Sequence, residues 1–387
     1  MAVEWLAIDC GKLPVTVRLA RFRGTSGVVE CHVTVRLSGD SPADPLDCLA
    51  QGYQRALDAA GMDAASAVFL RLFCSDATNQ AKAAAGYFGT APCAVSVIGQ
   101  PPLPAAKFAL WAYHLGDPAC PVDKRSDGPT VSCRRGELTH HWTSGLVDCH
   151  GDGSREQTMR VLGDYDAWLD AHGLRLADHV VRTWWFMQNI DADYTGLVEA
   201  RREFFAGHGL TADTHYLAST GIAGCHPEPT AKVALDAYAI GGLRAEQIAY
   251  LCAPDFLCPT HDYGVTFERA TAISYADRRH VFLSGTASID PAGSIVHPGD
   301  VLAQLDRTLE NITALLAQAG ANPGDLAAIL VYLRDPADGA MVDAALRDRL
   351  GTVPYVLVDA PVCRPGWLIE IEGIAVVPAS LPELPVF

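Results

Sequence analysis

The sequence is poor in positive charge and lacks the marks of a secreted or membrane protein. Its 387 residues carry 29 lysines and arginines against 45 aspartates and glutamates, a net charge of −16. This balance argues against nucleic-acid binding and against docking on an anionic membrane surface. No apolar run reaches the roughly 18 residues of a membrane span, and Met1–Lys12, with Glu4 and Asp9, has no signal-peptide pattern. We therefore expect a cytoplasmic protein with no membrane partner.

Signals for cofactor binding are also missing. The 12 cysteines include no CxxC pair, which predicts reduced thiols rather than a zinc site. The pairs His140-His141 and Cys149-His150 fit no standard metal-site spacing. No P-loop, GxGxxG or GxSxG motif is present. The sequence therefore predicts no metal and no organic cofactor.

The last third of the chain predicts one α/β (α+β) unit. An amphipathic helix over Ala303–Gln318 is followed by Gly320, a residue that commonly ends helices. The predicted order of the whole unit is ββαβαββ. Its other elements are two strands before this helix, then a strand, a second helix and two strands: Val265–Ser274, His280–Ser288, Ala327–Leu333, Gly339–Leu350, Tyr355–Val358 and Trp367–Val376.

The same helix–glycine–strand order recurs in the first and middle thirds. The segments Gly61–Phe73, Gly173–Trp185 and Gly320–Tyr332 have equal length. Pro92–Phe108 likewise repeats the spacing of Pro354–Glu370, with phenylalanine in place of the glutamate. Three repeats in one chain predict a covalent pseudo-trimer that is a monomer or dimer in solution. The predicted units span residues 1–116, 130–240 and 262–387, joined by linkers over residues 117–129 and 241–262.

Glu370 is the first candidate for catalysis. It lies on Trp367–Ile374, a strand with apolar residues on both faces, and shares one face with Glu372 about 7 Å away. A buried, ionised and unpaired carboxylate costs several kcal/mol. Glu370 is therefore solvated, paired, or protonated and able to donate a proton, and we favour the last. For Glu372, a structural salt bridge is favoured over a second functional carboxylate.

Arginines and hydroxyl groups near strand ends predict a site for a small anionic substrate. The planar guanidinium matches a carboxylate, although each arginine alone also fits a surface position. The residues Ser284 to Ser288 offer hydroxyl and backbone N–H donors, and a plain turn explains them equally well. The candidates are Arg182, Arg269, Arg334 and Arg364, with Ser284, Thr286 and Tyr263 as hydroxyl donors.

The third unit resembles the Rid (YjgF-type) superfamily over about Phe267 to Val377. The resemblance implies tandem Rid/chorismate-mutase-like units with sites at the interfaces between units. Deaminases of that superfamily have an arginine 15 residues before the glutamate, where this sequence has Tyr355. The residues that carry the resemblance are Ser284–Asp290, Gln304 with Leu309–Ile312, Val331–Asp335 and Ile369–Ile374.

Within the superfamily, the chain resembles the chorismatases over roughly Arg182 to Val377. Ala270 together with Cys363 is similar to the hydroxybenzoate-forming branch rather than the dihydrodiol-forming branch. Two positions differ from the family pattern, Trp185 and Leu330. The matching segments are Arg182-Thr183-Trp184, Ser219–Gly224, Asp262-Tyr263-Gly264, Phe267–Thr271 and Cys363-Arg364.

This resemblance implies cleavage of the enolpyruvyl ether of chorismate to pyruvate and a hydroxybenzoate or a dihydroxycyclohexadiene carboxylate. Glu370 would be the general acid, and the four arginines would bind the substrate carboxylates. The hydroxyls of Ser284, Thr286 and Tyr263 would orient the ring. The implied substrate-binding set also includes Ala270, Tyr332 and Cys363.

Two other hypotheses stay open. One is a Rid-type enzyme of secondary metabolism that acts on another unsaturated or imine-containing acid; Trp185 and Tyr355 favour it, because both would change the pocket. The other is a non-enzymatic small-molecule binding protein of the same fold, against which the glutamate and the arginines argue only modestly.

Overall fold

The computed structural model describes residues 2–38, 42–88, 93–117 and 122–387, with the side chains of residues 262 and 263 excepted. Within these ranges the chain forms three six-stranded sheets, each built from one third of the sequence. We call each sheet with its helices the first, second and third unit. No helix among the described residues is both long and apolar enough to cross a membrane.

The three units share one strand topology. In each, three antiparallel strands precede the first long helix, and the last strand inserts between the third and fourth strands. The fourth and fifth strands are parallel, as their helical crossover requires. The first unit contains β1 (Glu4–Ile8), β2 (Val15–Arg23), β3 (Val29–Leu37), α1 (Pro45–Ala60), β4 (Ala67–Cys74), α2 (Ala77–Phe88), β5 (Ala94–Gly99) and β6 (Phe108–Gly116).

The other two units repeat this order. The second unit contains β7 (Asp123–Asp127), β8 (Thr130–Arg135), β9 (Leu138–Leu146), α3 (Ser154–Ala171), the short α4 (Leu176–His179), β10 (Val180–Met187), α5 (Ile190–Gly207), β11 (Ala218–Ala223) and β12 (Val233–Gly241). The third unit contains β13 (Ile248–Leu251), β14 (Ala270–Ser274), β15 (Arg278–Ala287), α6 (Val301–Gln318), β16 (Leu326–Leu333), α7 (Gly339–Leu350), β17 (Tyr355–Asp359) and β18 (Ile369–Pro378).

Local sequence explains the ends of the long helices. Asp44 caps α1 by accepting the Asp47 N–H at 3.0 Å, and Asp300 caps α6 by accepting the Ala303 N–H at 3.0 Å. Gly61 ends α1 with a positive φ of 67°, a backbone conformation that glycine adopts without a Cβ clash. The predicted repeat of helix, glycine and strand is therefore confirmed.

The inner faces of the three sheets meet in an aromatic core. Trp142 of the second unit stacks on Tyr238 with ring centres 4.2 Å apart, and Phe69 of the first unit lies 5.1 Å from Trp142. Trp111 and Trp184 complete the cluster. Such rings bury a large apolar area, so the three units pack as one pseudo-trimer.

Each unit has one strand more than predicted. Strands β7 and β13 lie in the segments predicted as linkers, and both pair with their sheets. The unit is βββαβαββ, and its sheets extend beyond the predicted unit boundaries at residues 130 and 262. These segments were predicted as linkers because proline and glycine residues lie close to both strands.

Two of the predicted strand equivalences, those of Trp185 and Phe108, are wrong by one residue, whereas Phe73 does correspond to Tyr332. In the second unit the four-residue α4 precedes the fourth strand, whereas the other units have three-residue 3₁₀ turns. In the third unit, Tyr332 lies opposite Glu370 in the strand register. The residues equivalent to Glu370 in the first and second units are Ala109 and Ala234. Alanine, and not Phe108, therefore stands where the third unit has Glu370.

Candidate active site

An open pocket lies where the second and third units meet. Its empty volume, mouth included, is about 470 Å³. The second unit contributes α5 and β11, and the third contributes β15, β18 and the segments that lead into β14 and β18. The lining residues are Tyr194, Arg201, Ser219, Thr220 and Gly221 from the second unit, and Phe267, Arg269, Gly285, Ala287, Ile289, Cys363, Trp367 and Glu370 from the third.

Hydrogen bonds across the two units fix the back of the pocket. Ser284 Oγ accepts the Ser219 N–H at 2.9 Å and donates to the Glu268 carbonyl at 2.5 Å. Thr220 Oγ1 accepts the Gly285 N–H at 2.9 Å. These buried bonds set the register of β11 against β15, which places the lining residues of the two units opposite each other.

Ser284 and Thr286, predicted to orient the substrate ring, do not line the pocket. Ser284 belongs to the hydrogen bonds between the units, and the Thr286 hydroxyl donates to the Ser284 carbonyl at 3.0 Å. A bulge between Leu283 and Thr286 interrupts the β15–β18 register. Gly285 and Ala287 consequently face the pocket instead.

Glu370 forms the floor of the pocket and is 6% exposed. Its position depends on Gly285, because a Cβ added there would lie 2.1 Å from Glu370 Oε1. Glycine at position 285 therefore leaves room for the carboxyl group of Glu370, whereas any side chain would require it to move. Glu370 makes no hydrogen bond to any residue that the structure describes.

The surroundings of Glu370 favour its protonated form. Burial, followed by the charge of Glu372, raises the pKa of Glu370 to about 8, while Arg182 and Arg269 act in the opposite direction. A carboxyl group with this pKa keeps its proton at neutral pH. Glu370 can therefore donate a proton to a molecule in the pocket.

Glu372 and Arg182 form an ion pair behind the pocket. Arg182 Nη2 lies 2.5 Å from Glu372 Oε2, and the Trp184 indole N–H donates to Glu372 Oε1 at 2.8 Å. The Thr220 hydroxyl also donates to Glu372. The structural salt-bridge interpretation of Glu372 is confirmed. Arg182, predicted to bind substrate, is instead buried against Glu372 and does not line the pocket.

Arg269 lines the pocket as predicted. Its guanidinium donates to the Cys258 carbonyl at 2.9 and 3.3 Å and lies 5.5 Å from the centre of the Phe267 ring. These contacts hold a buried positive charge in the pocket wall, on the same unit as Glu370.

Arg201 is a second cation of the pocket wall that the sequence analysis missed. Its Nε donates to Thr266 Oγ1 at 2.9 Å and its Nη1 to Ser219 Oγ at 3.3 Å. A signal was present, because Leu197, Arg201 and Phe205 are spaced by four residues along α5 and all are buried. An arginine on the apolar stripe of a helix indicates a buried charge with a defined partner or ligand.

Two other predicted arginines lie outside the pocket. Arg334 donates to both carboxylate oxygens of Asp191 at 2.7 Å and to the Val362 carbonyl at 2.7 Å, so it joins the second and third units. The Arg364 guanidinium lies 5.2 Å from the centre of the Trp367 ring, beside one wall. The side chain of Tyr263 falls outside the described part of the structure.

Of the remaining predicted residues, one lines the pocket. Burial, with a contribution from Glu370, raises the pKa of the Cys363 thiol to about 12, so this lining residue is a neutral thiol. Ala270 is buried opposite Leu283 in the β14–β15 pair. Tyr332 is fully buried opposite Glu370 in strand register. Neither Ala270 nor Tyr332 reaches the pocket surface.

Trp185 and Tyr355, the two residues expected to change the pocket, lie elsewhere. Trp185 packs in the core between the second sheet and its helices. Tyr355 lies between the third and first units, where its hydroxyl donates to Asp343 Oδ1 at 2.7 Å. Within the described ranges, no group of three or more histidine, cysteine, aspartate or glutamate side chains could hold a metal ion.

Comparison with known proteins identifies the family. The family model for endoribonuclease L-PSP matches residues 270–377. A RutC family protein of Pyrococcus abyssi is 35% identical over 97 residues, which is 24% of this chain and 76% of that protein. A chorismatase of Streptomyces rapamycinicus is 30% identical over 213 residues, which is 50% of this chain and 63% of that protein.

A solved structure extends the likeness to the whole fold. A crystal structure of chorismatase superposes with a TM-score of 0.61 and covers 95% of this chain and 100% of that one, at 17% identity. The sequence alignment with chorismatase spans less than two thirds of that protein's length. The predicted resemblance is confirmed: the chain belongs to the Rid superfamily of RutC and endoribonuclease L-PSP proteins, and it shares the three-unit fold of chorismatase.

Proposed function

We propose that the protein is a chorismatase-like enzyme that cleaves the enolpyruvyl ether of chorismate, with Glu370 as the general acid. One observation carries the proposal. A buried carboxyl group whose pKa is raised to about 8 forms the floor of a pocket that has two buried arginines in its wall. The 30% identity to a chorismatase over half of this chain supports the choice of substrate.

The reaction begins with proton transfer from Glu370 to the methylene carbon of the enol ether. The ether carbon becomes an oxocarbenium ion, which the Glu370 carboxylate stabilises. Water adds to this carbon and returns a proton to Glu370, giving a hemiketal. Collapse of the hemiketal breaks the bond to the ring oxygen and releases pyruvate and a dihydroxycyclohexadiene carboxylate. Alternatively, the ring 4-hydroxyl attacks the same carbon.

In the water route, loss of water from the ring gives an aromatic hydroxybenzoate. In the other route, attack by the 4-hydroxyl forms a cyclic ketal. Breaking its bond to ring carbon 4 with loss of the proton on carbon 3 then gives 3-hydroxybenzoate and pyruvate with no net water. We assign this outcome because Cys363, one of the two residues typical of the hydroxybenzoate-forming branch, lines the pocket. Ala270, the other, lies beneath the surface of β14, where it affects the pocket only through packing.

Arg269 and Arg201 are the proposed partners of the two substrate carboxylates. Both line the pocket, and each is held by hydrogen bonds that leave little side-chain entropy to lose on binding. Phe267 and Trp367 supply flat apolar surfaces for the ring. The anionic substrate thus meets a local positive charge in a protein whose net charge is −16.

A second candidate is a Rid-type enzyme acting on another unsaturated or imine-containing acid. The protonated Glu370 favours it as well, because protonation of an enamine carbon needs the same donor. A protein named 3-aminoacrylate deaminase RutC, from Acinetobacter baylyi, is 30% identical over 97 residues. A non-enzymatic binding protein would not need a Glu370 with a raised pKa.

The test is a coupled pyruvate assay on purified protein with chorismate, followed by chromatography of the ring products. We expect stoichiometric pyruvate and a hydroxybenzoate. Pyruvate with only the dihydrodiol would retain the cleavage and reject the branch. If folded protein releases no pyruvate, the chorismatase proposal is wrong, and 3-aminoacrylate becomes the next substrate to assay. Light scattering should show a monomer or dimer, because one chain supplies all three units.

A further inference from the structure

Four charged side chains meet at the centre of the molecule, where the three sheets converge. Arg71 comes from β4 of the first unit, Arg182 and Asp236 from the second, and Glu372 from β18 of the third. Each is at most 3% exposed. We call these four residues the central charge cluster. Two positive and two negative charges make it formally neutral, as burial requires.

Arg71 connects the two carboxylates of the cluster. Its Nε and Nη2 donate to Asp236 Oδ2 at 3.2 and 2.8 Å, and its Nη1 lies 3.9 Å from Glu372 Oε1. The other oxygen of Asp236 accepts the Gly145 N–H at 2.7 Å. Asp236 therefore holds Arg71 in place while the free side of the guanidinium faces Glu372.

Aromatic rings enclose the same guanidinium. Its central carbon lies between 4.9 and 5.5 Å from the ring centres of Phe69, Trp111, Trp184 and Phe186. A cation held over ring faces in a dry environment is fixed in both position and charge. Arg71 is thus a rigid positive charge that the first unit delivers to the other two.

The cluster is joined to the pocket through Glu372. Glu372 accepts a hydrogen bond from the Thr220 hydroxyl, whose Oγ1 in turn accepts the Gly285 N–H at 2.9 Å. Gly285 is the residue against which the Glu370 carboxyl packs. A displacement of Glu372 would therefore be transmitted to the pocket wall beside the proton donor.

Building on the function proposed above, we propose that Arg71 of the first unit is a positioning residue for Glu370. By balancing the charge of Glu372 from 3.9 Å away, Arg71 sets the electric field in which Glu370 holds its proton. The reaction site then depends on all three units, although none of the described residues of the first unit lines the pocket. This gives the first unit a role in the reaction beyond packing.

The charged and titratable groups around Glu370 determine in which direction its pKa shifts when the cluster is changed. Glu372 lies beside it on β18, Tyr332 lies opposite on β16, Arg182 approaches from the second unit, and Arg269 and Cys363 share its pocket. Arg201 lines the opposite wall. Without Arg71 the charge of Glu372 is less balanced, so Glu370 binds its proton more tightly. Without the charge of Asp236, Arg71 acts more strongly and Glu370 binds its proton less tightly.

The experiment compares Arg71→Met with Asp236→Asn in the full chain. Difference infrared spectroscopy reads the protonated carboxyl band that disappears in Glu370→Gln, so the titration needs no turnover. We expect the midpoint of the Glu370 titration to rise by roughly half a pH unit or more in Arg71→Met and to fall in Asp236→Asn. Arg71→Lys, which keeps the charge, should move it less than Arg71→Met. The alkaline limb of kcat/KM should move in parallel.

Opposite shifts in the two variants are the diagnostic result, because general loosening of the core would not reverse sign. If Arg71→Met fails to fold, the downward shift in Asp236→Asn carries the test. Unmoved midpoints, or shifts of the same sign, would overturn the proposal. If the midpoints move as expected but chorismate is not cleaved, the role of Arg71 stands and the proposed substrate is wrong.

Discussion

Two equivalent interfaces of the molecule differ in whether they contain an open pocket. Between the second and third units, Ala287 pairs with Glu370 across β15 and β18 and the interface stays open. Between the third and first units, the corresponding pair is Arg36 and Ala109 across β3 and β6. The long arginine side chain replaces a methyl group there, and it fills the space that the other interface leaves to a ligand.

The filled interface is closed by a buried ion-pair cluster. Asp343 lies 2.7 Å from Arg36 Nη1, 2.5 Å from Arg347 Nη1 and 2.7 Å from the Tyr355 hydroxyl. The Arg36 guanidinium lies 4.2 Å from the centre of the Tyr355 ring and that of Arg18 lies 4.9 Å from it. Arg36 and Arg347 both pair with Asp343, while Arg18 donates to the Val353 carbonyl at 3.0 Å.

The comparison shows how partners decide what a buried carboxyl group does. Burial alone would raise the pKa of Asp343, but the charge and hydrogen bond of Arg36 hold it below its usual value. No residue that the structure describes donates a hydrogen bond to Glu370, and burial raises its pKa to about 8. One carboxylate joins two units, whereas the other retains a proton that it can transfer.

The largest expected effect is that of Glu370→Gln. The change removes the proton but little volume, so the variant should fold while kcat falls at least a hundredfold. Asp343→Asn, the matched change at the filled interface, should leave kcat per folded molecule unchanged. Steady-state kinetics on both variants decides the assignment. Retained activity in Glu370→Gln would exclude Glu370 as the general acid.

Gly285→Ala should reduce activity because the added methyl group would clash with Glu370 in the pocket between the second and third units. Its Cβ would lie 2.1 Å from Glu370 Oε1, so the carboxyl group must move. We expect a loss of kcat/KM on the order of tenfold to a hundredfold, since small misplacements of reacting groups are costly. Gly86→Ala, on an exposed helix with open space around the glycine, is the control and should leave kcat/KM unchanged. Equal activity of the two variants would contradict the placement of Glu370.

Asp343→Asn should instead reduce stability. It leaves Arg36 buried with its charge uncompensated, which typically costs about 3–5 kcal/mol. Denaturant unfolding of the variant and the parent measures the difference in the free energy of unfolding. A change within about 0.5 kcal/mol would show that the filled interface does not stabilise the contact between the third and first units.

The raised pKa of Glu370 predicts the pH dependence of both activity and stability. As the acid, Glu370 must be protonated, so kcat/KM should fall as the pH rises through about 8. Because the folded state binds this proton more tightly than the unfolded state, the stability it contributes is full below the unfolded pKa of about 4.5 and is lost toward pH 8.

Glu370→Gln has no group that ionises at this position, so its stability should not fall in this way with rising pH. The variant therefore serves as the control. Relative to the parent, its stability should rise by about 4 kcal/mol between pH 5 and pH 9. Unfolding measured at both values of pH tests this. Parallel stability curves for the two proteins would mean that Glu370 titrates near its ordinary value.

The sequence was sufficient for the repeat and for the carboxyl group of Glu370 on an apolar strand, because both depend on local patterns. Helix caps, glycines at helix ends and carboxylates on an apolar strand can be read within a few residues. The face of each strand could not be read, since the bulge before Thr286 and the extra residue of α4 each shift the alternation by one. The bulge accounts for Ser284 and Thr286, which do not line the pocket. The expectation for Trp185 came from the family resemblance and not from strand alternation.

Partners distant in the chain account for the remaining errors. Arg182 was predicted to bind substrate, but its partner Glu372 is 190 residues away, and no periodicity reports such a pair. Arg334 is likewise paired with Asp191 of another unit. Arg201 was the avoidable omission, because its place on the apolar stripe of α5 is visible in the sequence.

The most direct test of the account is a crystal structure of Glu370→Gln with chorismate, combined with a calorimetric titration of the same variant. We expect one molecule per chain, bound only between the second and third units. Its enolpyruvyl group should face residue 370, and its carboxylates should lie at Arg201 and Arg269. A ligand at the interface filled by Arg36, or no binding by the folded variant, would contradict the claim that the second and third units form the single reactive interface.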